Sequence, residues 1–330
     1  LAEMVAALLE VFPEVDVYTA NSGDLLIVAR KGPGRPLSNI AFEAPELTEE
    51  LRRVGLGSLA DVEARRLGGA NMLRTLVRLT GAKPHTDYHP TVALKAPRDR
   101  FTRSGADLLV DLVRPGYPVL NVLACRRPIA EGVPLLRDPF DSVASTVLAA
   151  REVRLSLAEG AATAALLQDQ PAVAASLRSV LATAQYGAPA SGDFEADLAL
   201  VANATLGGLP ADALNDIWAE RTWWTSSVVP TPVAQRQLAL YAAFGAQDWS
   251  RAATEARALL EDSETHSRPA LREHFLILGM LADMARGEPQ AARAWEDAFG
   301  DKAMGRSHLT KRAFLLAWDG NEAVCVSSDR

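Results

Sequence analysis

The sequence predicts a mixed fold, in which a short α/β segment is followed by a long all-α helical-repeat segment. Three observations carry this. An amphipathic stretch leads straight into two strand-like runs separated by turn residues. Proline and glycine then crowd positions 115 to 139. Beyond Asp141 the chain is built almost wholly of helix-forming residues, broken at intervals and carrying an imperfect internal repeat.

Leu1, Met4, Val5, Leu8, Leu9 and Phe12 recur at the three/four spacing of one helix face. The chain thus opens inside a helical pattern, on Leu rather than Met, and reads as the C-terminal piece of something longer. Pro13 stops the helix, and Val15 to Ala20 alternates like a strand. Asn21, Ser22 and Gly23 supply turn chemistry, and Asp24 to Arg30 is a second apolar run. Two runs joined so closely predict an antiparallel hairpin. Lys31 to Pro36 breaks the pattern. Three helices follow: one opened by Pro45 and Glu46, one capped by Ser58 and running to about Leu67, and one from Asn71 to Leu79. Thr91 to Pro97 and the VLNVLAC run ending at Cys125 read as strand-like.

In the second half, breaks at 168–171, 187–193, 207–212 and 227–232 separate successive helices, which predicts antiparallel packing. Residues 237–260 and 274–299 each read as helix, tight break, helix. Ala252 and Ala292 occupy matching places just inside the second helices, where a small side chain lets two helices approach. Trp249 and Pro289 sit near the starts of those helices. The pattern is that of tetratricopeptide-like hairpins, with a longer period than the usual one and with Trp295 one place from the consensus large residue.

Composition excludes more than it assigns. The chain has 34 Lys plus Arg against 41 Asp plus Glu, a net charge of -7, which argues against a broadly basic nucleic-acid surface. Apolar residues at 48% and charged residues at 23% are ordinary for a globular protein. Cys125 and Cys325 cannot build a disulfide framework, so a reducing, cytoplasmic setting is expected. No apolar run reaches membrane-spanning length.

The order helix, FPEVDVYTANSGDLLIVARK, helices, TDYHPTVALKAPRDRF resembles the C-terminal end of spermidine-synthase-like proteins, including a bacterial type fused to a membrane transporter-like segment. The match rests on Phe12, Pro13, Val15 and Gly23 to Val28, and on Thr86, Asp87, Pro90 and Ala96 to Arg98. His85, Tyr88, His89 and Lys95 depart from the family pattern. The resemblance covers about residues 1–103. It implies a C-terminal remnant of a Rossmann-like, methyltransferase-type α/β fold with a small helical cap. A Pro/Gly-rich connection over 104–140 and an all-α repeat domain over 141–330 complete the expected plan. The Gly-rich nucleotide loop and the amine-activating aspartate would lie upstream, because no G-G-G-D-G-like element occurs here and GPG (32–34) and GLG (55–57) are too short.

For the parent protein the resemblance implies aminopropyl or methyl transfer from decarboxylated or intact S-adenosylmethionine to a polyamine-type substrate. No catalytic residue, metal or cofactor is expected within this chain. If the parent is membrane-attached, this part lies on the cytoplasmic side. The alternative is a non-catalytic helical scaffold with a protein or peptide partner on the 141–330 half.

The site residues expected are Asp87 and Tyr88, at the edge of a substrate pocket. Asp87 would pair with a cationic amine, and Tyr88 would offer a cation–π face. KPHTDYHP as a whole reads first as a surface loop in which Asp87 or Thr86 caps local backbone amides, next as that pocket edge, and last as a metal site from His85, Asp87 and His89. Lys95, Arg98, Arg100 and Arg103 form a short basic run best read as solvated. Trp218, Arg221, Trp223 and Trp224 are read as core packing between Ala-rich helices, with an interface surface as the alternative. Cys125 beside Arg126 and Arg127 is read as a buried, inert thiol.

Overall fold

The computed structural model describes residues 1–20, 24–32, 38–86, 88, 90, 94, 97, 117–123, 129–130, 132–136, 142–187, 193–226, 231–288, 290–300 and 309–318. The described residues are mostly helical, with one small three-stranded sheet.

Helix α1 (Ala2–Val11) turns Val5 and Ala6 inward, and Pro13 follows its C-cap at Phe12. The predicted hairpin is present: β1 (Glu14–Thr19) and β2 (Leu25–Arg30) pair antiparallel with Val17 opposite Ile27. Alternation along β1 buries Val15, Val17 and Thr19 against the core. On the opposite face Asp16 is clamped by two guanidiniums, with Arg30 at 2.7 Å and Arg66 at 2.8 Å. Helices α2 (Ile40–Glu43), α3 (Pro45–Arg53) and α4 (Leu59–Ala64) follow.

The structure adds β3 (Arg66–Gly69), where the sequence suggested the end of a helix. β3 pairs antiparallel with β1, so the sheet order is β2-β1-β3. A Rossmann-type sheet is built on parallel strands, and both ladders here are antiparallel. Helix α5 (Ala70–Thr80) ends at Gly81, whose φ of 61° places it in the left-handed region that glycine adopts without strain.

Two strand expectations are corrected. VLNVLAC contains helix α6 (Val119–Leu123), and Leu94 and Pro97 within Thr91 to Pro97 lie in helical turns. A short apolar run cannot be told from a buried helix by its pattern alone, and here burial decides: Val119, Val122 and Leu123 sit in the core. Tyr117, Val119, Val122 and Leu123 thus pack inward, whereas Ala130, Gly132, Pro134 and Leu136 lie at the surface of the Pro/Gly-punctuated stretch. Its Leu136 amide donates to the buried Asp61 carboxylate at 2.7 Å, which ties it to α4.

The helical half comprises α7 (Ser142–Glu159), α8 (Ala164–Asp169), α9 (Pro171–Tyr186), α10 (Phe194–Leu206) and α11 (Ala211–Asn215). A π turn over Asp216–Glu220 leads on to α12 (Pro232–Gly245), α13 (Trp249–Glu261), α14 (Pro269–Ala285), α15 (Ala291–Phe299) and α16 (Leu309–Ala317). The sequence breaks act as caps. Thr163 Oγ1 accepts from Leu166 N, Thr231 Oγ1 from Ala234 N and Asp248 from Arg251 N, while Pro171, Pro232 and Pro269 open their helices.

The two expected hairpins form, α12 with α13 and α14 with α15, and α13 packs on α14 between them. Ala252 and Ala292 are buried at 0% and 1% exposure, as the close approach requires. Gly279 faces the Trp295 ring so tightly that an added Cβ would lie 2.6 Å from it. Helix α14 is buried on every side from Leu271 to Met284, the signature of a central core helix. Around it pack α6, α10, α13, α15 and α16, and α16 also packs on α5. One cluster of buried apolar residues runs from Val5 to Trp318, so the α/β segment and the helical layers share a core.

Candidate functional site

Of the residues expected to form a pocket edge, Asp87 lies outside the described residues, as does His89. Tyr88 is 92% exposed, and the neighbouring His85 amide donates to the Glu3 carbonyl at 3.1 Å, which anchors the segment to the start of α1. Lys95, Arg98, Arg100, Arg103 and Cys125 fall outside the described residues. Among the described residues no group of three His, Cys, Asp or Glu side chains is arranged to hold a metal ion.

The Trp-rich segment resolves as core. Trp218 is fully buried and donates through Nε1 to Thr205 Oγ1 at 3.1 Å, with its ring edge-on to Tyr241 and Trp223. Trp223 is 5% exposed, and its Nε1 donates to the Ile217 carbonyl at 2.6 Å.

The same segment forms one wall of a cleft of about 660 Å³, a size that suits a small ligand. The other wall is α7. Arg151, Arg154 and Leu155 stand at the three/four spacing that puts side chains on one helix face. The facing wall departs from regular helix: α11 loosens into the π turn Asp216–Glu220, and Arg221 closes it at φ 50°, a left-handed conformation costly for a residue with a Cβ. That departure sets Asp216, Ile217 and Glu220 into the cleft, with Trp223 beside them.

The cleft is lined by charges of both signs, with Arg151, Glu152 and Arg154 on α7 and Asp216 and Glu220 opposite. Arg154 donates to Asp216 across the cleft at 3.0 Å, and the two side chains remain 33% and 49% exposed. A pair this open is held weakly, by about 0–1 kcal/mol. Arg151 is committed to backbone, donating to the Val133 and Ala130 carbonyls at 2.7 and 3.0 Å. Glu152 accepts from Thr163 Oγ1 at 2.7 Å. Arg151, Glu152, Arg154, Asp216 and Glu220 are thus the charged residues that line the cleft.

Deeper in the core lies a polar relay that the sequence reading did not single out. His274 on α14 stands between two tyrosines: Tyr117 Oη is 3.0 Å from Nδ1 and Tyr241 Oη is 3.0 Å from Nε2. Gln237 Nε2 donates to the Glu195 carbonyl at 3.0 Å, and Glu195 accepts from Thr231 and Arg268 through its carboxylate. Arg268 also pairs with Asp193. A readable signal existed, since Arg272, Glu273 and His274 stand directly before a long apolar run in the same helix.

Burial raises the pKa of both tyrosines; for Tyr117 the charge of Glu273 and then Tyr241 adds to the effect. The folded state therefore keeps both hydroxyls protonated where an unfolded chain would ionise them. The stability this gives is complete below the unfolded tyrosine pKa of about 10 and is lost as pH rises beyond it, by about 1.4 kcal/mol per pH unit for each tyrosine. Urea unfolding between pH 9 and about 11 is expected to show this fall, and Tyr117→Phe is expected to remove one tyrosine's share of the slope. An unchanged slope in the variant would sink the assignment.

Fold and site together define a largely helical protein with a small antiparallel sheet and a two-walled surface cleft. No known protein family, curated protein or solved structure matches the chain. Among the described residues no helix is long and apolar enough to cross a membrane.

Proposed function

We propose that this chain is the C-terminal part of a spermidine-synthase-like protein, in which α1, β1 and β2 are the last elements of a Rossmann-like catalytic sheet. The observation that carries this reading is the open edge of β2. Among the described residues the sheet order leaves β2 with β1 alone as a neighbour, and Leu26 within LLIVAR is 56% exposed. Natural edges of this kind are shielded by lysines, prolines or bulges, or else covered by another strand. Met4 and Val11 on α1 and Leu1 at its N-cap are likewise exposed, at 48%, 57% and 43%. A strand supplied by the catalytic part of the parent would cover the β2 edge.

On this reading S-adenosylmethionine or its decarboxylated form, and the polyamine-type acceptor, bind mainly to residues upstream of Leu1. Asp87 and Tyr88 contribute at most to the rim of the acceptor pocket. The helical layers hold the end of the sheet through the shared core. The test is the coding sequence preceding Leu1, together with titration of the complete gene product with either nucleoside. A Gly-rich strand–turn–helix and saturable heat are expected for the complete protein, and no heat for residues 1–330 alone. A complete gene without that element overturns the proposal.

The second reading, a non-catalytic scaffold for a protein or peptide partner, is favoured by one observation. The cleft lies wholly within the helical half and its immediate approach at Gly132, away from the sheet.

A further inference from the structure

We propose that the cleft between α7 and the π turn binds a zwitterion of amino-acid to dipeptide size. The inference does not rest on the spermidine-synthase-like reading, because every residue it uses lies in the helical half.

The cleft carries charges of both signs. Arg154 stands on one wall, and Asp216 and Glu220 stand on the other. A purely anionic ligand would meet two carboxylates, and a purely cationic one would meet a guanidinium. A ligand carrying both signs at its two ends finds a partner for each, with its carboxylate on Arg154 and its ammonium on Asp216 and Glu220. Guanidinium and carboxylate groups form their strongest hydrogen bonds with such ionised partners.

The resting state favours the exchange. The Arg154–Asp216 pair closes the cleft, yet both side chains stay well exposed, so opening it costs little. A zwitterion offers an ionised partner to both members of the pair at once.

The apolar lining supplies the remaining contact. Ile217 and Trp223 lie beside the acidic wall, and Leu155, 47% exposed, beside the basic one. Trp223 is held in place by its bond to the Ile217 carbonyl and its edge-on contact with Trp218, so the surface is organised before a ligand arrives. A ligand with an aliphatic or aromatic side chain between its charged ends fits this lining. The π turn and the left-handed Arg221 are the local conformations that bring Asp216 and Glu220 to the mouth.

The test uses the 330-residue protein and a defined panel: L-leucine, L-phenylalanine and the dipeptide Leu-Phe, each with its N-acetyl and its C-terminal amide derivative. Binding is followed by the indole N–H resonance of Trp223, assigned by its loss in Trp223→Phe. At least one free zwitterion is expected to shift that resonance saturably, and blocking either end is expected to weaken binding about tenfold or more. Arg154→Gln should erase the preference for a free carboxylate, and Asp216→Asn should weaken the preference for a free ammonium. Both are partly exposed, and circular dichroism checks their folding. If either fails to fold, the blocked derivatives on the unaltered protein decide the question alone. Equal binding of free and blocked forms, or no shift with any member at about 10 mM, overturns the proposal.

Discussion

Trp218→Ala is expected to lower the free energy of unfolding by about 3–5 kcal/mol, as large aromatic truncations in close-packed cores do. The indole is fully buried and meets two other aromatic rings, with Tyr241 at 5.1 Å and Trp223 at 6.0 Å between centroids. Its removal opens a cavity where α10, α12 and the π turn converge, and it leaves the buried Thr205 hydroxyl without the N–H it accepts. Urea denaturation measures the loss. Trp224→Ala, at a half-buried site one residue beyond Trp223, is the control and should cost clearly less. Equal losses would show that packing at Trp218 is no more demanding than at the periphery. Because Trp223 leans on Trp218, the same variant should also loosen the cleft wall.

Asp61→Ala is expected to cost about 3–5 kcal/mol by a different mechanism. Asp61 is 2% exposed, and its carboxylate accepts from the amides of Gly57 and Ser58 at 2.9 Å and of Leu136 at 2.7 Å. Alanine leaves three backbone donors without that acceptor, each costing about 1–3 kcal/mol if it stays buried and dry. Relaxation and water entry recover part of the loss. Asp61→Asn keeps one acceptor oxygen and should lose less than half as much. Limited proteolysis gives a second readout, since releasing Leu136 should speed cleavage around 129–136 selectively. Uniformly faster cleavage throughout the chain would mean that Asp61 acts only through global stability.

The parts of the fold that were legible in the sequence are those specified by neighbouring residues. The β1–β2 hairpin follows from two closely spaced strand-like runs and the turn-forming residue types between them, and the starts of α9, α12 and α13 follow from Pro171, Thr231 and Asp248. β3 was not legible, because Arg-Leu-Gly-Gly has no alternating pattern and becomes a strand only by pairing with β1. Helix α6 was misread for the complementary reason: Val119 to Leu123 owe their state to burial beside α14, which their own sequence does not announce. The Trp-rich segment was correctly read as core, yet its second role was hidden. The cleft needs Arg154 and Asp216 brought together from separate helices, and it needs a π turn, for which single sequences carry no pattern. Asp87 and Tyr88 drew attention through chemistry concentrated in a few positions, whereas the cleft residues are spread out and individually ordinary.

The contact of α16 with α5 has a consequence for how the chain comes into being. During synthesis from the N-terminus, α5 leaves the ribosome long before the helix that covers it. Until residues 309–317 emerge, the apolar surface of α5 has only its near neighbours to shelter it. The central helix α14 also arrives late, so the early sheet and hairpin wait on partners made near the end. Such delayed closure slows folding and leaves nascent chains dependent on holding factors. A ribosome-stalled chain ending before Leu309 should therefore be captured by chaperones and cut rapidly near α5, and release of α16 should end both.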